Sequence, residues 1–149
     1  VDVVLNALEW LKRKELFFDY ILLLQPTSPE RSISEIKRWI NIIKRKKYNS
    51  TTSVVKIPFH PSETINLKKK KWRFLAKNKK KIIRRQDFVN NYHFIDGSFY
   101  MCKVDFLIKN KSFIKEGYTH IFKSNISYPI DINNHLDIKI AEAVSKYLK

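Results

Sequence analysis

The side chains best suited to chemistry in this chain follow a short apolar run at residues 21–24. The next residues, QPTSP, offer an amide and two hydroxyls on a backbone restricted by two prolines, and the polar members are Gln25, Thr27 and Ser28. A short run that is apolar on both faces predicts a strand buried in the middle of a sheet, typically a parallel one. Open α/β sheets bind ligands just past such strands. The pattern indicates a ligand site, although an ordinary strand-to-helix turn uses the same residue types.

A helix start follows this loop. Ser32 and Glu35 match the serine-x-x-glutamate capping box, and apolar residues at helical spacing predict a helix from residue 32 to about residue 47. A helix N-terminus carries partial positive charge, which would favour an anion in the loop. Arg31 stands at this junction, so we expect it to contact a ligand, with a plain surface role as the alternative.

A second candidate site lies near the end of the chain. Asp131 and Asn133 alternate across Ile132, so both side chains should point to one side of an extended segment. Two oxygen donors on one side suit a hard cation such as Mg²⁺. Helix-start chemistry explains Asp131 equally well. For Asp137 helix-start chemistry is the preferred interpretation, because a terminal helix follows.

Two further stretches carry donors or an unusual backbone. Arg84, Arg85 and Gln86 form a fork-like set of donors suited to carboxylate or phosphate. Gly97, just before a Phe-Tyr strand, predicts a bulge or a close backbone approach. The four histidines and Cys102 show no metal-ligand spacing, and no G-x-S-x-G motif occurs, so nothing favours zinc or covalent catalysis.

The elements that must position these residues alternate along the chain. Periodicity predicts a helix over residues 1–14, a strand over 51–58, a short helix over 104–110 and a strand over 119–122. A terminal helix would bury Leu136, Ile140, Val144 and Leu148. An order of helix, strand, helix and strand is typical of an α/β fold with a parallel sheet.

Composition limits the class of protein. A chain of 149 residues that is 44% hydrophobic is one globular domain in size. These residues contain no apolar run of membrane-spanning length and no signal-peptide pattern. The single cysteine suggests a reducing compartment, so we expect a cytoplasmic protein without a membrane partner. Two glycines exclude a glycine-rich phosphate loop. Since the first residue is not methionine, we expect a front segment to be missing.

The net charge of +16 permits nucleic acid, an anionic membrane or a phosphate-bearing substrate as a partner, but dispersed solvated lysines explain most of it. Charge concentrates at residues 67–85, where Trp72 and Phe74 alternate with basic residues, as in an exposed strand of a hairpin. Such a pattern could bind single-stranded nucleic acid. An edge hairpin kept soluble by lysines is the preferred interpretation, and packing on a second subunit is a further one.

Three stretches together resemble the acylneuraminate cytidylyltransferases, which make CMP-activated sialic acids and related nonulosonic acids. They are LLLQPTSPER at 22–31, RQD at 85–87 continuing to DGSFY at 96–100, and residues 127–142 with a DIN…LD core. The first is specific to this family and its near relatives. The others are weaker alone but occur in the right order, so the resemblance covers essentially the whole chain.

The resemblance implies a Rossmann-like nucleotidyltransferase fold in three layers, with a mostly parallel sheet and an inserted β-hairpin dimerisation region at residues 63–100. It implies transfer of a cytidylyl group from CTP to a nine-carbon α-keto acid sugar, with Mg²⁺ as cofactor and pyrophosphate as the second product. The loop residues Gln25, Thr27 and Ser28 would line the sugar and nucleotide pocket.

Other roles follow by matching positions to the family. Arg85, with Gln86 beside it, would meet anionic groups of the substrates, in a homodimer whose hairpin reaches the neighbouring subunit. Tyr100 and Phe113 would shape the sugar site. Asp131 would hold magnesium and, with Arg85, form the catalytic pair, while Asn133 would be the second metal ligand.

The chain also departs from the family pattern. Asn133 stands where a second aspartate is usual, which should weaken the metal site, and Asp96 stands where asparagine is common. Glu63 occupies the place of a lysine found in some members. The family's first strand and basic phosphate loop have no counterpart. We therefore expect the carboxyl-terminal two-thirds of such an enzyme, or a degenerate relative that binds sugar or nucleotide as a dimer.

Overall fold

Helices and strands occur close to the positions that periodicity predicts. The computed structural model describes residues 1–69, 71–76, 92–126 and 128–147. The helices are α1 (Asp2–Arg13), α2 (Ile33–Lys46), α3 (Val104–Asn110) and α4 (His135–Tyr147). The strands are β1 (Tyr20–Leu23), β2 (Ser50–Lys56), β3 (Ile65–Lys68), β4 (Lys71–Phe74), β5 (His93–Lys103) and β6 (His120–Lys123), with a short 3₁₀ helix at Pro61–Glu63.

The described strands form two sheets. The larger has the order β1-β5-β2-β6. β1 is antiparallel to β5, with Leu23 opposite Tyr100, whereas β2 is parallel to β6, with Thr51 opposite His120. The α/β class is confirmed, and the sheet is mixed.

β1 lies at an edge of the sheet and not in its middle. Among the described strands, β5 is its only partner. Ile21 and Leu23 pack into the core, but Leu22 and Leu24 are 36% and 37% exposed. The prediction of a central buried strand is therefore wrong for the described part of the chain. An apolar run shows what a strand is able to bury, whereas its neighbours come from residues far along the chain.

Helices cover both faces of the larger sheet. Trp39 of α2 belongs to the same apolar cluster as Met101 of β5. Leu8 of α1 and Leu107 of α3 pack with Cys102 in a second cluster. Successive residues of a strand point to opposite faces, so Met101 and Cys102 contribute to different layers. The result is a helix–sheet–helix sandwich.

Half of the predicted capping box is present at the start of α2. The Ser32 hydroxyl accepts a hydrogen bond from the Glu35 amide at 3.2 Å. The Glu35 carboxylate does not turn back to Ser32. It accepts from the Asn125 amide at 3.2 Å and from the Ser124 hydroxyl at 3.2 Å, and it pairs with Arg38 at 3.6 Å. Glu35 therefore anchors the segment after β6 to the helix start.

The chain forms two compact units. The first combines Val1–Val54 with Ile95–Lys149, and the second is Val55–Phe94. The insertion predicted at residues 63–100 overlaps the second unit and continues into β5. In the second unit, β3 and β4 form an antiparallel hairpin, which confirms the exposed hairpin predicted around Trp72 and Phe74.

The terminal helix is less buried than its pattern predicts. Leu136 is 64% exposed, which corrects its assignment to the buried face, while Ile140 and Val144 are partly buried. Leu148 lies outside the described residues. No described helix is both long enough and apolar enough to span a membrane.

Candidate functional site

The loop at residues 25–28 packs directly on Gly97. The Ser28 amide donates to the Gln25 carbonyl oxygen at 3.1 Å, which closes a turn after β1. Gly97 has φ +76°, and a Cβ there would lie 2.6 Å from Gln25 Oε1 and 2.9 Å from Ser28 Oγ. A Cβ at this position would push against the Gln25 and Ser28 side chains, and the positive φ also favours glycine. The close approach predicted at Gly97 is confirmed.

A buried carboxylate lies beneath the loop. Asp96 is 7% exposed, and its two oxygens accept hydrogen bonds from the Ser53 and Ser98 hydroxyls, each at 2.5 Å. The Ser28 hydroxyl donates to the Asp96 carbonyl oxygen at 3.2 Å. Buried charge is costly unless its oxygens are satisfied. Ser53 and Ser98 meet much of this requirement, and together with Ser28 they join β2, β5 and the loop.

Arg31 donates to backbone carbonyls on both sides of this cluster. Its Nε donates to the Ser98 carbonyl oxygen at 3.0 Å, and its Nη2 donates to the Gln25 carbonyl oxygen. Burial lowers the pKa of Arg31, and the Asp96 carboxylate acts in the opposite direction. The guanidinium is thus held by protein groups.

The segment with the predicted metal ligands joins the same loop. The Ile132 amide donates to the Thr27 carbonyl oxygen at 2.7 Å. Asp131 and Asn133 lie on one side, as predicted, with Asn133 Nδ2 donating to Asp131 Oδ2 at 3.2 Å. Both are exposed. The Thr27 contact brings the two candidate sites of the sequence together.

Asp137 caps α4. Its Oδ2 accepts from the Asn133 and Asn134 amides at 2.8 and 3.0 Å. The Asn134 side chain accepts from the Leu136 amide at 2.9 Å. This is a reciprocal cap, and it confirms the helix-start interpretation of Asp137.

Tyr100 and Phe113 lie in contact with each other. Tyr100 is partly buried on β5, and its ring centroid is 5.8 Å from that of Phe113. Burial raises the pKa of the Tyr100 phenol, and the carboxylates of Asp96 and then Asp131 raise it further. Tyr100 therefore lies within electrostatic reach of both carboxylates. Phe113 is buried in the core, and its carbonyl oxygen accepts from the Ser50 hydroxyl at 2.5 Å.

Some residues of the site were not predicted, and two predicted ones cannot be placed. Arg85 and Gln86 lie outside the described residues. Sequence reasoning did not assign a role to Ser53, Asp96 or Ser98. A signal for Ser53 was available, because β2 begins with four consecutive hydroxyl residues, SerThrThrSer, and all four are fully buried. Buried hydroxyls need partners, so such a run predicts polar neighbours.

The acidic groups are too dispersed to form a metal cage. Within the described ranges, no group of three or more His, Cys, Asp or Glu side chains could hold a metal ion. Mg²⁺ commonly uses only one or two protein carboxylates and takes its other ligands from water and substrate phosphates. The exposed Asp131 carboxylate fits that limited role, with the Asn133 amide oriented by its contact with Asp131.

A large groove lies at the other end of β1. Its volume is about 1280 Å³, and it is lined by Leu16, Phe17, Phe18, Asp19 and Tyr20 and by parts of α1, α2 and α3. No residue of the 25–28 loop lines it. The groove is therefore separate from the polar network of the candidate site.

The chain is similar to a characterised enzyme along almost its whole length. It is 28% identical over 150 residues to CMP-N,N'-diacetyllegionaminic acid synthase from Legionella pneumophila, a match that covers 95% of this chain. The chain spans 60% of the length of that relative. No family model matches the chain. The similarity, although weak, supports a relationship to CMP-nonulosonic acid synthases.

Proposed function

We propose that this chain contributes to a cytidylyltransferase that activates a nonulosonic acid with CTP. The observation that carries the proposal is the 25–28 loop, which is held against Gly97 and joined to the segment of Asp131 through the Thr27–Ile132 bond. The similarity to a CMP-nonulosonic acid synthase supports the same reaction class. The activity belongs to the full-length protein.

The loop presents two polar side chains to a ligand. Within the described residues, the Gln25 amide and the Thr27 hydroxyl make no hydrogen bond, although the backbone that carries them is fixed. Such groups are suited to the hydroxyls of a sugar or to a cytidine edge, since the backbone that carries them needs no reordering. Ser28 points inward to Asp96 and so supports the loop.

In the reaction, a hydroxyl oxygen of the sugar acid forms a bond to the α-phosphorus of CTP. The bond from that phosphorus to the bridging oxygen breaks, pyrophosphate leaves with the electron pair, and the hydroxyl proton is released to solvent. Such transfers depend mainly on alignment and on neutralising phosphate charge. Asp131, oriented by Asn133, would hold Mg²⁺, which would supply part of that neutralisation when bound. By position in the sequence, Arg85 and Gln86 would meet anionic groups, and Tyr100 and Phe113 would shape the sugar pocket.

We propose a homodimer that forms through the hairpin of β3 and β4. Ile65 is paired with Phe74 and Leu67 with Trp72, so one face carries four apolar side chains. All four are about half exposed or more. The other face carries Asn66 opposite Arg73 and two lysines. A second copy of the same hairpin would cover the apolar face without bringing the basic faces together.

The test is an assay of pyrophosphate release by the full-length protein with CTP, Mg²⁺ and a panel of nonulosonic acids. Gln25→Ala should lower kcat/KM by roughly 10- to 100-fold, because a hydrogen bond in the pocket is lost, with little change in Tm. The matched control is Asn6→Ala, which removes an exposed amide on α1. No pyrophosphate release with any sugar acid would overturn the enzyme proposal.

A non-catalytic module is the second candidate, and one observation favours it. Asn133 replaces the charge expected beside Asp131, so the metal site has a single carboxylate. A dimeric module that only binds sugar or nucleotide would be stabilised by CTP in a thermal-shift assay without turnover. A nucleic-acid binder is a third candidate, favoured by the basic hairpin face and exposed Trp72. It requires salt-sensitive binding to random single strands.

A further inference from the structure

The sequence predicts a ligand contact for Arg31, but two of its three guanidinium nitrogens donate to the protein. Nε and Nη2 are bonded to the carbonyl oxygens of Ser98 and Gln25. One of these carbonyls belongs to β5 and the other to the loop itself. A guanidinium is well suited to this task because its donors form a rigid planar fork.

Asp96 lies on β5 under the loop, which contacts its backbone carbonyl oxygen. Its carboxylate accepts from Ser98, its carbonyl oxygen accepts from Ser28, and it acts electrostatically on Arg31. Ser98 is therefore a bridge: its carbonyl oxygen accepts from Arg31, and its hydroxyl donates to Asp96. The two charges are linked through one residue.

We propose that Arg31 and Asp96 are positioning residues, a bridged charge pair that clamps the 25–28 loop onto Gly97 and so sets where the Gln25 and Thr27 side chains meet the substrate. Neither residue touches the substrate. The link from the clamp to catalysis rests on the proposed function, whereas the clamp itself is a property of the free protein.

The first arm of the test is a double-mutant cycle in the full-length protein with Arg31→Gln and Asp96→Asn. Each single change removes one charge of the bridged pair and should lower Tm by about 5 °C or more, while the double variant should be no less stable than the worse single variant. The control cycle is Arg13→Gln with Glu9→Gln, an exposed pair 4.0 Å apart on α1. Each control change should shift Tm by less than about 2 °C.

The second arm is hydrogen exchange of the loop amides. In Arg31→Gln, the amides of Ser28 and Ile132, which bond to the loop carbonyls, should exchange at least about tenfold faster. The Ile43 amide in the core of α2 should exchange at the wild-type rate once the two proteins are compared under conditions that give them the same free energy of unfolding. If Arg31→Gln only lowered the stability of the whole protein, the exchange rates of the Ser28, Ile132 and Ile43 amides would all rise by the same factor. Additive Tm changes, or unchanged exchange at Ser28, would overturn the clamp.

The third arm separates positioning from direct binding of an anion. A misplaced loop should lower kcat by about tenfold or more in Arg31→Gln, with partial recovery in Arg31→Lys. If Arg31 instead binds an anionic group of the substrate, KM should rise with kcat unchanged, and the positioning role is wrong. An inactive wild-type protein would contradict the proposed function, while the first two arms would still decide the clamp.

Discussion

The two ends of β1 are organised in opposite ways. At its carboxyl end, the 25–28 loop is bonded to Asp96, Arg31 and the segment of Ile132, and Ser28 is buried. At its amino end, residues 16–19 border a groove of about 1280 Å³, and Phe17 is 74% exposed. One end has a network of hydrogen bonds between distant segments, and the other has a groove lined without such a network.

The size of the groove is not a sufficient reason to place the functional site there. The groove is lined by five lysines, Lys12, Lys44, Lys47, Lys103 and Lys111, and by four acidic residues, Asp2, Glu9, Asp19 and Asp105. Charges of both signs on a wide, exposed surface are well solvated and hold no fixed geometry. Chemistry needs groups held in place before the substrate arrives. The carboxyl end of β1 meets that condition.

Among the variants at the two ends of β1, Gly97→Ala should lose the most stability. A methyl group there would meet Gln25 Oε1 at 2.6 Å and would also sit on backbone with φ +76°. We expect a loss of about 2–5 kcal/mol in the free energy of unfolding, measured by urea denaturation. Gly117→Ala is the matched control, because Gly117 has the same φ with nothing within 4 Å. It should lose only about 1–2 kcal/mol. Equal losses would show that the loop does not press on Gly97.

The middle of β1 can be tested through Cys102, which pairs with Ile21 and is fully buried. Burial raises the pKa of this thiol from 9.0 to about 12. The unfolded chain therefore releases its proton first, so stability falls as pH rises above about 9. Between pH 9 and 11, the free energy of unfolding of the wild-type protein should fall more steeply than that of Cys102→Ala. The two slopes should differ by up to about 1.4 kcal/mol per pH unit.

The tyrosines are present in both proteins, so the difference in slope reports on Cys102 alone. The native thiol should also be unreactive toward a disulfide reagent at pH 8 and should react only after unfolding. If stability falls with pH equally in the wild-type protein and in Cys102→Ala, or if the native thiol reacts rapidly with the reagent, then β1 opens between its two ends.

A smaller effect is expected from Ser32→Ala at the carboxyl end. The Ser32 hydroxyl caps α2, which follows the loop, and its loss should cost about 1 kcal/mol in thermal unfolding. Ser145→Ala is the control, because Ser145 is an exposed hydroxyl within α4. It should be close to neutral. A neutral Ser32→Ala would indicate that the helix start needs no side-chain cap.

The smallest effect is expected at the amino end. Phe17 is highly exposed, so Phe17→Ser should change stability by no more than about 0.5 kcal/mol and should leave any activity unchanged. Circular dichroism melting and the pyrophosphate assay are the measurements. A strong loss of activity in this variant would show that the functional site lies at the groove and not at the 25–28 loop.

Much of the local structure could be predicted because its causes are local. The cap at Ser32, the helix of residues 104–110, the contact at Gly97 and the cap formed by Asp137 depend on neighbours in sequence or on one residue type. The roles of Glu35 and Arg31 could not be predicted. Both side chains have long reach, and their partners are Asn125 and Ser98, which are distant in sequence.

The sequence by itself determined the positions of the helices, of β2 and β6, and of the polar loop that follows β1. Periodicity, proline and glycine act within a few residues and are visible in the order of the chain. Only the tertiary structure decided that β1 lies at the edge of the described sheet and that Asp96 is buried under the loop. It also decided that Thr27 meets Ile132. These contacts join segments tens of residues apart, and their geometry depends on how the layers pack.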